Sequence, residues 1–321
     1  MTLLDIENLS VSFKNYQGTS NVLDRVSLTI RRGEILGLVG ESGCGKSVTA
    51  KAILGLIPQP PGNISDGRIM FKNENLLTLP ARRMRQIRGN EISMIFQEPM
   101  TCLNPVFTIG NQMREVVRIH RKLKHRQAEK MCVDMLRQVQ MPDPESVLKK
   151  YPHQLSGGMR QRVMIAMELV CGPELLIADE PTTALDVTVQ GQILAILTRL
   201  SRERNISILM ITHDMGVVAQ VCDRVAVMYA GRVVEVAPVK ELFSGTGHPY
   251  TKGLIASIPD LQGKDALYSI PGSVPALMDL PPGCRFHPRC SSRMEICDSL
   301  APELCHITKA HQVACHAAVK T

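Results

Sequence analysis

The sequence has no tryptophan, and phenylalanine and tyrosine together make up only 3% of it. Single-stranded nucleic acid is held by rows of aromatic platforms, so this scarcity argues against such a partner. No apolar run reaches about 18 residues, the length a membrane-spanning helix needs. The first residues, Met1-Thr2-Leu3-Leu4-Asp5-Ile6-Glu7, lack the basic region and apolar core of a secretory signal. A cytoplasmic protein is expected, one that reaches a membrane only through a partner. Charge is not strongly one-sided either: the net value is +7 in 321 residues. Two basic clusters stand out, Arg82, Arg83, Arg85 and Arg88, then Arg118, Arg121, Lys122, Lys124 and Arg126. Nucleic acid or anionic lipid would suit them, but without aromatics a solvated helix face is the stronger reading. At 44% hydrophobic and 21% charged, the chain has the makings of one large and one smaller globular domain.

What is present begins with Gly40-Glu41-Ser42-Gly43-Cys44-Gly45-Lys46-Ser47, a match to G-x-x-x-x-G-K-[ST]. An apolar strand-like run, Glu34 to Val39, precedes it, and a helix-forming run, Val48 to Leu56, follows. Strand, glycine loop and helix are the context this motif requires. The glycines let several N–H groups point at one anion, and the helix start adds its positive dipole end. Lys46 suits the β/γ-phosphates and the Ser47 hydroxyl suits Mg²⁺. Farther on, the apolar run Leu175-Leu176-Ile177-Ala178 delivers Asp179 and Glu180, at the strand end where open α/β sheets place ligands. Asp179 suits a Mg²⁺ partner, and Glu180 suits a general base for an attacking water. Ser156, Gly157 and Gly158 open a helix with Ser156 as N-cap, a second anion-binding turn in the same chain.

Around these motifs the chain alternates strands and helices. Leu3 to Leu9 and Val26 to Ile30 read as strands flanking a turn-rich loop, Asn15 to Asn21. A Pro/Gly loop, Ile57 to Gly67, is followed by strands at Arg68 to Phe71 and Ile92 to Phe96. Helices are predicted over Ile109 to Ile119, Arg126 to Gln140 and Gly157 to Val170. Strands return at Ser207 to Ile211 and Asp223 to Met228, with a helix over Gln190 to Arg204. This predicts an α/β domain over 1–256 with a largely parallel sheet and a helical subdomain inserted at about 98–170. A Pro-rich extension with clustered cysteines occupies 257–321. The methionines read as packing groups rather than a cofactor box. Phe13 or Tyr16, just ahead of the phosphate loop, reads equally as a base-stacking aromatic or as a core or rim residue.

Five of the ten cysteines, Cys284, Cys290, Cys297, Cys305 and Cys315, are separated by only 5, 6, 7 and 9 residues. In a reducing compartment such a group points to metal before disulfide. The spacing is neither a zinc knuckle nor a tight ferredoxin run, and all-thiolate ligation suits an iron–sulfur cluster or zinc.

Leu155-Ser156-Gly157-Gly158-Met159-Arg160-Gln161-Arg162 resembles the signature of ABC-type ATPases. The resemblance places Gly40–Ser47 as Walker A, Asp179 and Glu180 as Walker B and catalytic glutamate, and Gln97 as the Q-loop. Thr183-Ala184-Leu185-Asp186 then matches the D-loop and His213 the switch histidine. It implies a P-loop NTPase fold, ATP and Mg²⁺ as ligands, and catalytic roles for Lys46, Gln97, Glu180 and His213. Nucleotide contacts are expected from Phe13 (Tyr16 in reserve), Gly40, Ser42, Gly43, Cys44, Gly45, Lys46, Ser47, Val48, Gln97, Asp179, Ser156, Gly157 and Gly158, and Mg²⁺ contacts from Ser47, Gln97 and Asp179. Gly247 to Thr251, Gly283 to Cys290, Cys297 and Ala314-Cys315-His316 are similar to the C-terminal region of dipeptide/oligopeptide/nickel importer ATPases. That resemblance implies a [4Fe-4S] cluster on Cys284, Cys290, Cys297 and Cys315, with Cys305 an addition to the pattern. It also implies a second ATPase subunit, with a heterodimer favoured, two integral membrane permeases and an extracytoplasmic solute-binding protein, and no nucleic acid. The location it implies is peripheral, on the cytoplasmic face of the inner membrane. Peptide is the expected cargo. Nickel-chelate import, or a non-transport ATPase acting on nucleic acid or ribosomes, stands as the alternative.

Overall fold

The computed structural model describes residues 1–16, 18–97, 103–183, 185–258 and 268–318. The chain divides into two compact units. Met1–Ile30, Leu36–Thr78 and Ile211–Thr321 form the first, and Arg31–Ile35 with Leu79–Met210 form the second.

The first unit contains a four-stranded sheet in the order Gly18–Arg31, Thr2–Asn15, Gly62–Phe71, Glu74–Asn75. Along Thr2–Asn15 the apolar residues change parity, with Leu4 and Ile6 buried and then Leu9 and Val11. Asn8, at φ 50°, absorbs the change, and the register against Gly62–Phe71 shifts between Glu7 and Ser10. An extra residue taken up as a bulge keeps both apolar pairs on one face. The expected Asn15–Asn21 loop is shorter than its composition implies, since strand runs to Asn15 and resumes at Gly18. The Pro/Gly loop likewise becomes strand from Gly62. Pairing along a long neighbour overrides local propensity in both places.

The other sheet of this unit runs Cys305–His306, Gln312–Val313, Arg232–Pro238, Arg224–Tyr229 and then Ile35–Val39. Ile35–Val39 is buried throughout and pairs in parallel with Arg224–Tyr229, Leu36 against Arg224. Continuous apolar strands of this kind are those covered on both faces. The chain's last strands are antiparallel additions at the edge, Val313 pairing with Glu235.

In the second unit, Ile92–Ile95 and Leu175–Asp179 pair in parallel, Ile92 against Leu175. Ser207 to Met210 lie on the other side of Leu175–Asp179. Helices Ile109–Arg121, His125–Gln138 and Gly157–Leu169 pack on one another. Ile109, Met113 and Val117 of the first are fully buried at helical spacing. Met84, Met94, Met113, Met135 and Met164 are core residues, which accounts for methionines in this unit as packing. The short helices Ala81–Ile87, Met215–Val221, Val239–Ser244 and Pro249–Ala256 escape the sequence reading because periodicity needs a longer window.

One buried carboxyl group ties the end of the chain to the rest of the first unit. Glu235 has no exposure and accepts hydrogen bonds from the N–H groups of Gly247 (2.6 Å) and His248 (3.1 Å). His311 Nε2 lies 2.6 Å from the same carboxylate. Leaving a buried polar group short of a partner costs about 1–3 kcal/mol, so His311→Ala should destabilise the protein by roughly that amount and open the C-terminal strands to protease. Thermal melting with limited proteolysis checks this, and an unchanged profile would show that the two backbone donors suffice for Glu235.

Candidate functional site

In the first unit the strand Ile35–Val39 ends at Gly40, where φ is 152°. A Cβ there would sit 2.2 Å from the Met228 carbonyl oxygen, so only glycine lets the chain turn against its neighbour. At Gly45, φ is 108° and a Cβ would meet Leu23 Cδ2 at 2.6 Å. The helix Lys46–Ile53 starts directly after Gly45, and no side chain caps it. A helix start of this kind offers its first-turn N–H groups and dipole to an anion.

Lys46 is buried, and its ammonium donates to the carbonyls of Gly40 (2.7 Å) and Glu41 (3.1 Å). It therefore spans the loop it belongs to. Cys44 is fully buried with Sγ 3.7 Å from Lys46 Nζ. Burial pushes its thiol up, and the Lys46 charge offsets that only in part. Its side chain is thus a packed neutral group, and its N–H donates to the Glu41 carbonyl (3.3 Å). Ser42 and Gly43 are exposed, while Ser47 and Val48 are half-buried. Phe13 is half-buried beside Gly62, where a Cβ would lie 3.1 Å from its Cε1, whereas Tyr16 is fully exposed. His213 is exposed at the end of Ser207–Thr212. The next residue, Asp214, caps Met215–Val221 by accepting from Gly216 (2.7 Å) and Val217 (3.3 Å).

One loop residue escapes the sequence reading. Glu41 forms a two-pronged ion pair with Arg289 at 2.8 and 3.0 Å, and its N–H donates to the Tyr250 hydroxyl at 2.8 Å. Both partners fall within the runs Gly247 to Thr251 and Gly283 to Cys290, but nothing in their spacing connects them to Glu41.

In the second unit Asp179 is buried at the end of its strand. Glu180 follows at φ 47°, a conformation uncommon outside glycine. Its carboxylate accepts from Gln97 Nε2 (2.9 Å) and Thr183 Oγ1 (3.0 Å). Gln97 and Glu180, far apart in sequence, are thus brought together. Ser156 caps Gly157–Leu169 by accepting from Met159 N–H (3.4 Å), and Ser156 and Gly157 are exposed. A Cβ on Gly157 would meet nothing within 4 Å, while one on Gly158 would lie 3.0 Å from Val189 Cγ1. Asp186 caps Val187–Arg204 through Val189 N–H (2.9 Å), and Ala184 lies outside the described residues.

Cys284, Cys290, Cys297 and Cys315 interact as a group. The Cys284 N–H donates to the Cys297 carbonyl (2.8 Å). Burial pushes the Cys284 thiol up to about 11, and Cys297, Cys315 and Cys290 add to the rise. Cys290 is raised by burial and then by Cys315 and Cys297. Cys305 is exposed in the strand Cys305–His306. Among the described residues no three His, Cys, Asp or Glu side chains form a group able to hold a metal ion. The expected [4Fe-4S] site on Cys284, Cys290, Cys297 and Cys315 is therefore not a formed ligand shell.

Comparison with known proteins gives a consistent result. Residues 23–183 match the family model described as ABC transporter, and 234–297 match the oligopeptide/dipeptide transporter C-terminal region. The chain is 51% identical to the dipeptide transport ATP-binding protein DppD of Bacillus subtilis, over 98% of this chain and 94% of that one. It is 50% identical to the oligopeptide transport ATP-binding protein AppD of Bacillus subtilis, over 98% and 96%. Among solved structures, the ATP-binding cassette MJ0796, a dimer in a post-hydrolysis state bound to ADP and Pi, matches with a TM-score of 0.66 at 25% identity. The match covers 74% of this chain and 99% of that one. No helix among the described residues is long and apolar enough to cross a membrane.

Reactivity of the thiols follows from their burial. Burial pushes Cys222 up to about 12 and raises Cys44, so both stay protonated at pH 8 while Cys305 is open to solvent. An alkylating reagent at pH 8 should mark Cys305 about 100-fold faster than Cys44 or Cys222, as timed labelling and peptide mass mapping would show. Comparable rates at Cys44 would mean that the loop opens readily.

Proposed function

The chain belongs to the ABC transporter family and is an ATPase, and we propose that the energy it releases drives import of dipeptides or oligopeptides through a membrane complex. The observation that carries the transport reading is the match of 234–297 to the oligopeptide/dipeptide transporter C-terminal region, supported by relatives named for peptide transport. Residues 1–256 would be the ATPase domain, with its helical subdomain at about 98–170, and 257–321 the extension. The partners are a second ATPase subunit, in a heterodimer, two integral membrane permeases and an extracytoplasmic solute-binding protein. The chain would work peripherally at the cytoplasmic face of the inner membrane.

The uncapped helix start at Lys46–Ile53 binds phosphate oxygens through its N–H groups, together with those of Gly40, Ser42, Gly43, Cys44 and Gly45. Lys46 contributes a positive charge already held over the loop, and Val48 lines the same turn. Phe13 stacks on the base. Ser47, Asp179 and Gln97 supply only hard oxygen donors, which suit Mg²⁺, and the ion when bound neutralises phosphoryl charge. Glu180 takes the proton of the attacking water, and its carboxylate is kept oriented by Gln97 and Thr183. His213 contacts the γ-phosphate. Ser156 and Gly157, exposed at their helix start, and the half-buried Gly158 close over nucleotide held by the partner ATPase.

Glu180→Gln should keep ATP binding and lose hydrolysis by about 100-fold or more, while Lys46→Ala should weaken both. Nucleotide-binding and phosphate-release assays separate the two outcomes, and near-normal turnover in either variant rejects its assigned role. In the complex assembled with its permeases and binding protein, peptides and not nickel chelates should stimulate ATPase.

We propose in addition that Cys284, Cys290, Cys297 and Cys315 bind an iron–sulfur cluster once deprotonated. The bond from the Cys284 N–H to the Cys297 carbonyl, which folds these two against each other, and all-thiolate chemistry support this. An anaerobic preparation should show broad visible absorbance with stoichiometric iron and sulfide, whereas zinc alone, or no metal, would reject it.

A further inference from the structure

Aromatic side chains are scarce, yet Tyr229, Tyr250 and Phe286 pack together beside the phosphate loop. Their ring centroids are 4.6 Å apart for Tyr229–Tyr250, 5.2 Å for Tyr229–Phe286 and 5.4 Å for Tyr250–Phe286. Arg289 lies over the rings of Tyr229 and Phe286, at 5.8 and 5.9 Å from their centroids. Its side chain is only 5% exposed. It is also held from behind: Nε donates to the Pro271 carbonyl (2.9 Å), Nη2 to that of Ile270 (3.3 Å) and Nη1 to the Tyr229 hydroxyl (3.3 Å). From that fixed position the guanidinium reaches both carboxylate oxygens of Glu41.

Glu41 is the second residue of the phosphate loop and is held at three points. Tyr250 accepts its N–H, Arg289 holds its carboxylate, and Lys46 donates to its carbonyl. A two-pronged guanidinium–carboxylate pair fixes orientation as well as distance, and its aromatic, half-dry setting strengthens it. We propose that Arg289 and Tyr250 are positioning residues for ATP binding, through which the C-terminal region holds the phosphate loop ready for nucleotide. The proposal rests on the nucleotide reading of Gly40–Ser47. Neither residue needs to touch the nucleotide. Their effect is preorganisation: a loop already ordered loses less conformational freedom when phosphate arrives. The extension thereby acts on the ATP site as well as marking the type of importer.

The competing view is that Arg289 merely fastens the extension to the rest of the first unit. Steady-state ATPase kinetics, equilibrium ATP binding and thermal melting on the full-length chain decide between them, using Glu41→Ala, Arg289→Gln, Arg289→Lys and the double variant Glu41→Ala/Arg289→Gln. Each of the first two should raise KM and Kd for ATP about tenfold with kcat within about twofold. The double variant should be no worse than either, because both remove one interaction, and Arg289→Lys should recover part of the affinity. Unchanged KM and Kd with a lowered Tm would overturn the proposal, as would losses that multiply in the double variant. Should Arg289→Gln fail to fold, Glu41→Ala decides alone, since Glu41 is half-exposed and carries no core packing. Lys46→Ala serves as the control: normal turnover there brings down the nucleotide reading itself, whereas its loss beside an unchanged KM in Glu41→Ala brings down only the positioning role.

Discussion

The first unit depends on backbones approaching more closely than a Cβ allows. Gly40 turns against the Met228 carbonyl, and a Cβ at Gly231 would lie 2.5 Å from the Val22 carbonyl oxygen. Between them, Gly231 N–H donates to the Cys44 carbonyl (3.0 Å) and Asp24 N–H to the Gly231 carbonyl (2.9 Å). The phosphate loop is therefore a seam between the strand Gly18–Arg31 and the hairpin Arg224–Tyr229/Arg232–Pro238, not a free tip. Asp24 reinforces the seam by accepting from Arg232 (2.7 Å) and Arg285 (2.5 Å). Burial raises its carboxyl, but Arg232, Arg285 and Arg25 together hold it below the usual carboxylate range. It stays ionised at neutral pH, a half-buried anion among cations.

That seam explains where the few aromatic groups are used. Three of the chain's five tyrosines and six phenylalanines converge as Tyr229, Tyr250 and Phe286. Large rings cover much area at low conformational cost, and here they roof the side of the loop that carries Glu41. The same cluster receives Cys284 and Cys290 as half-buried neighbours. The cysteine-rich segment and Val39, the last residue of the strand that leads into the phosphate loop, therefore share one core.

In the second unit the comparable feature is Glu180. Its positive φ is an uncommon backbone state for a side chain of its size, worth of order 1 kcal/mol or more in strain. The state persists where surrounding bonds over-determine it, and Gln97 and Thr183 supply two of them. Gln161 adds a third restraint nearby by donating to the Pro181 carbonyl (2.5 Å), so the helix that opens at Ser156 is tied to the segment following Glu180.

Much of this was legible from residue order. Gly40–Ser47, Asp179–Glu180, Ser156–Gly158 and the long helices are local patterns, because a glycine turn, an apolar strand end or a helical stripe is specified by neighbours in sequence. The strand ends were less legible, since Gly62 and Gly18 become strand only by pairing with Thr2–Asn15, and the short helices carry too few residues to show a period. Cysteine spacing indicated a group but not its geometry, which depends on how Cys284 and Cys297 are folded against each other and on whether the thiols are charged. Sequence alone thus determined the family and the order of elements, because those depend on contiguous residues. Only the tertiary structure decided that Glu41 is clamped by Arg289 and Tyr250, that Glu180 is held by Gln97, and that Cys44 is a buried packing group. Each of these is a contact or burial between residues far apart in sequence, and composition and spacing carry no record of such pairs.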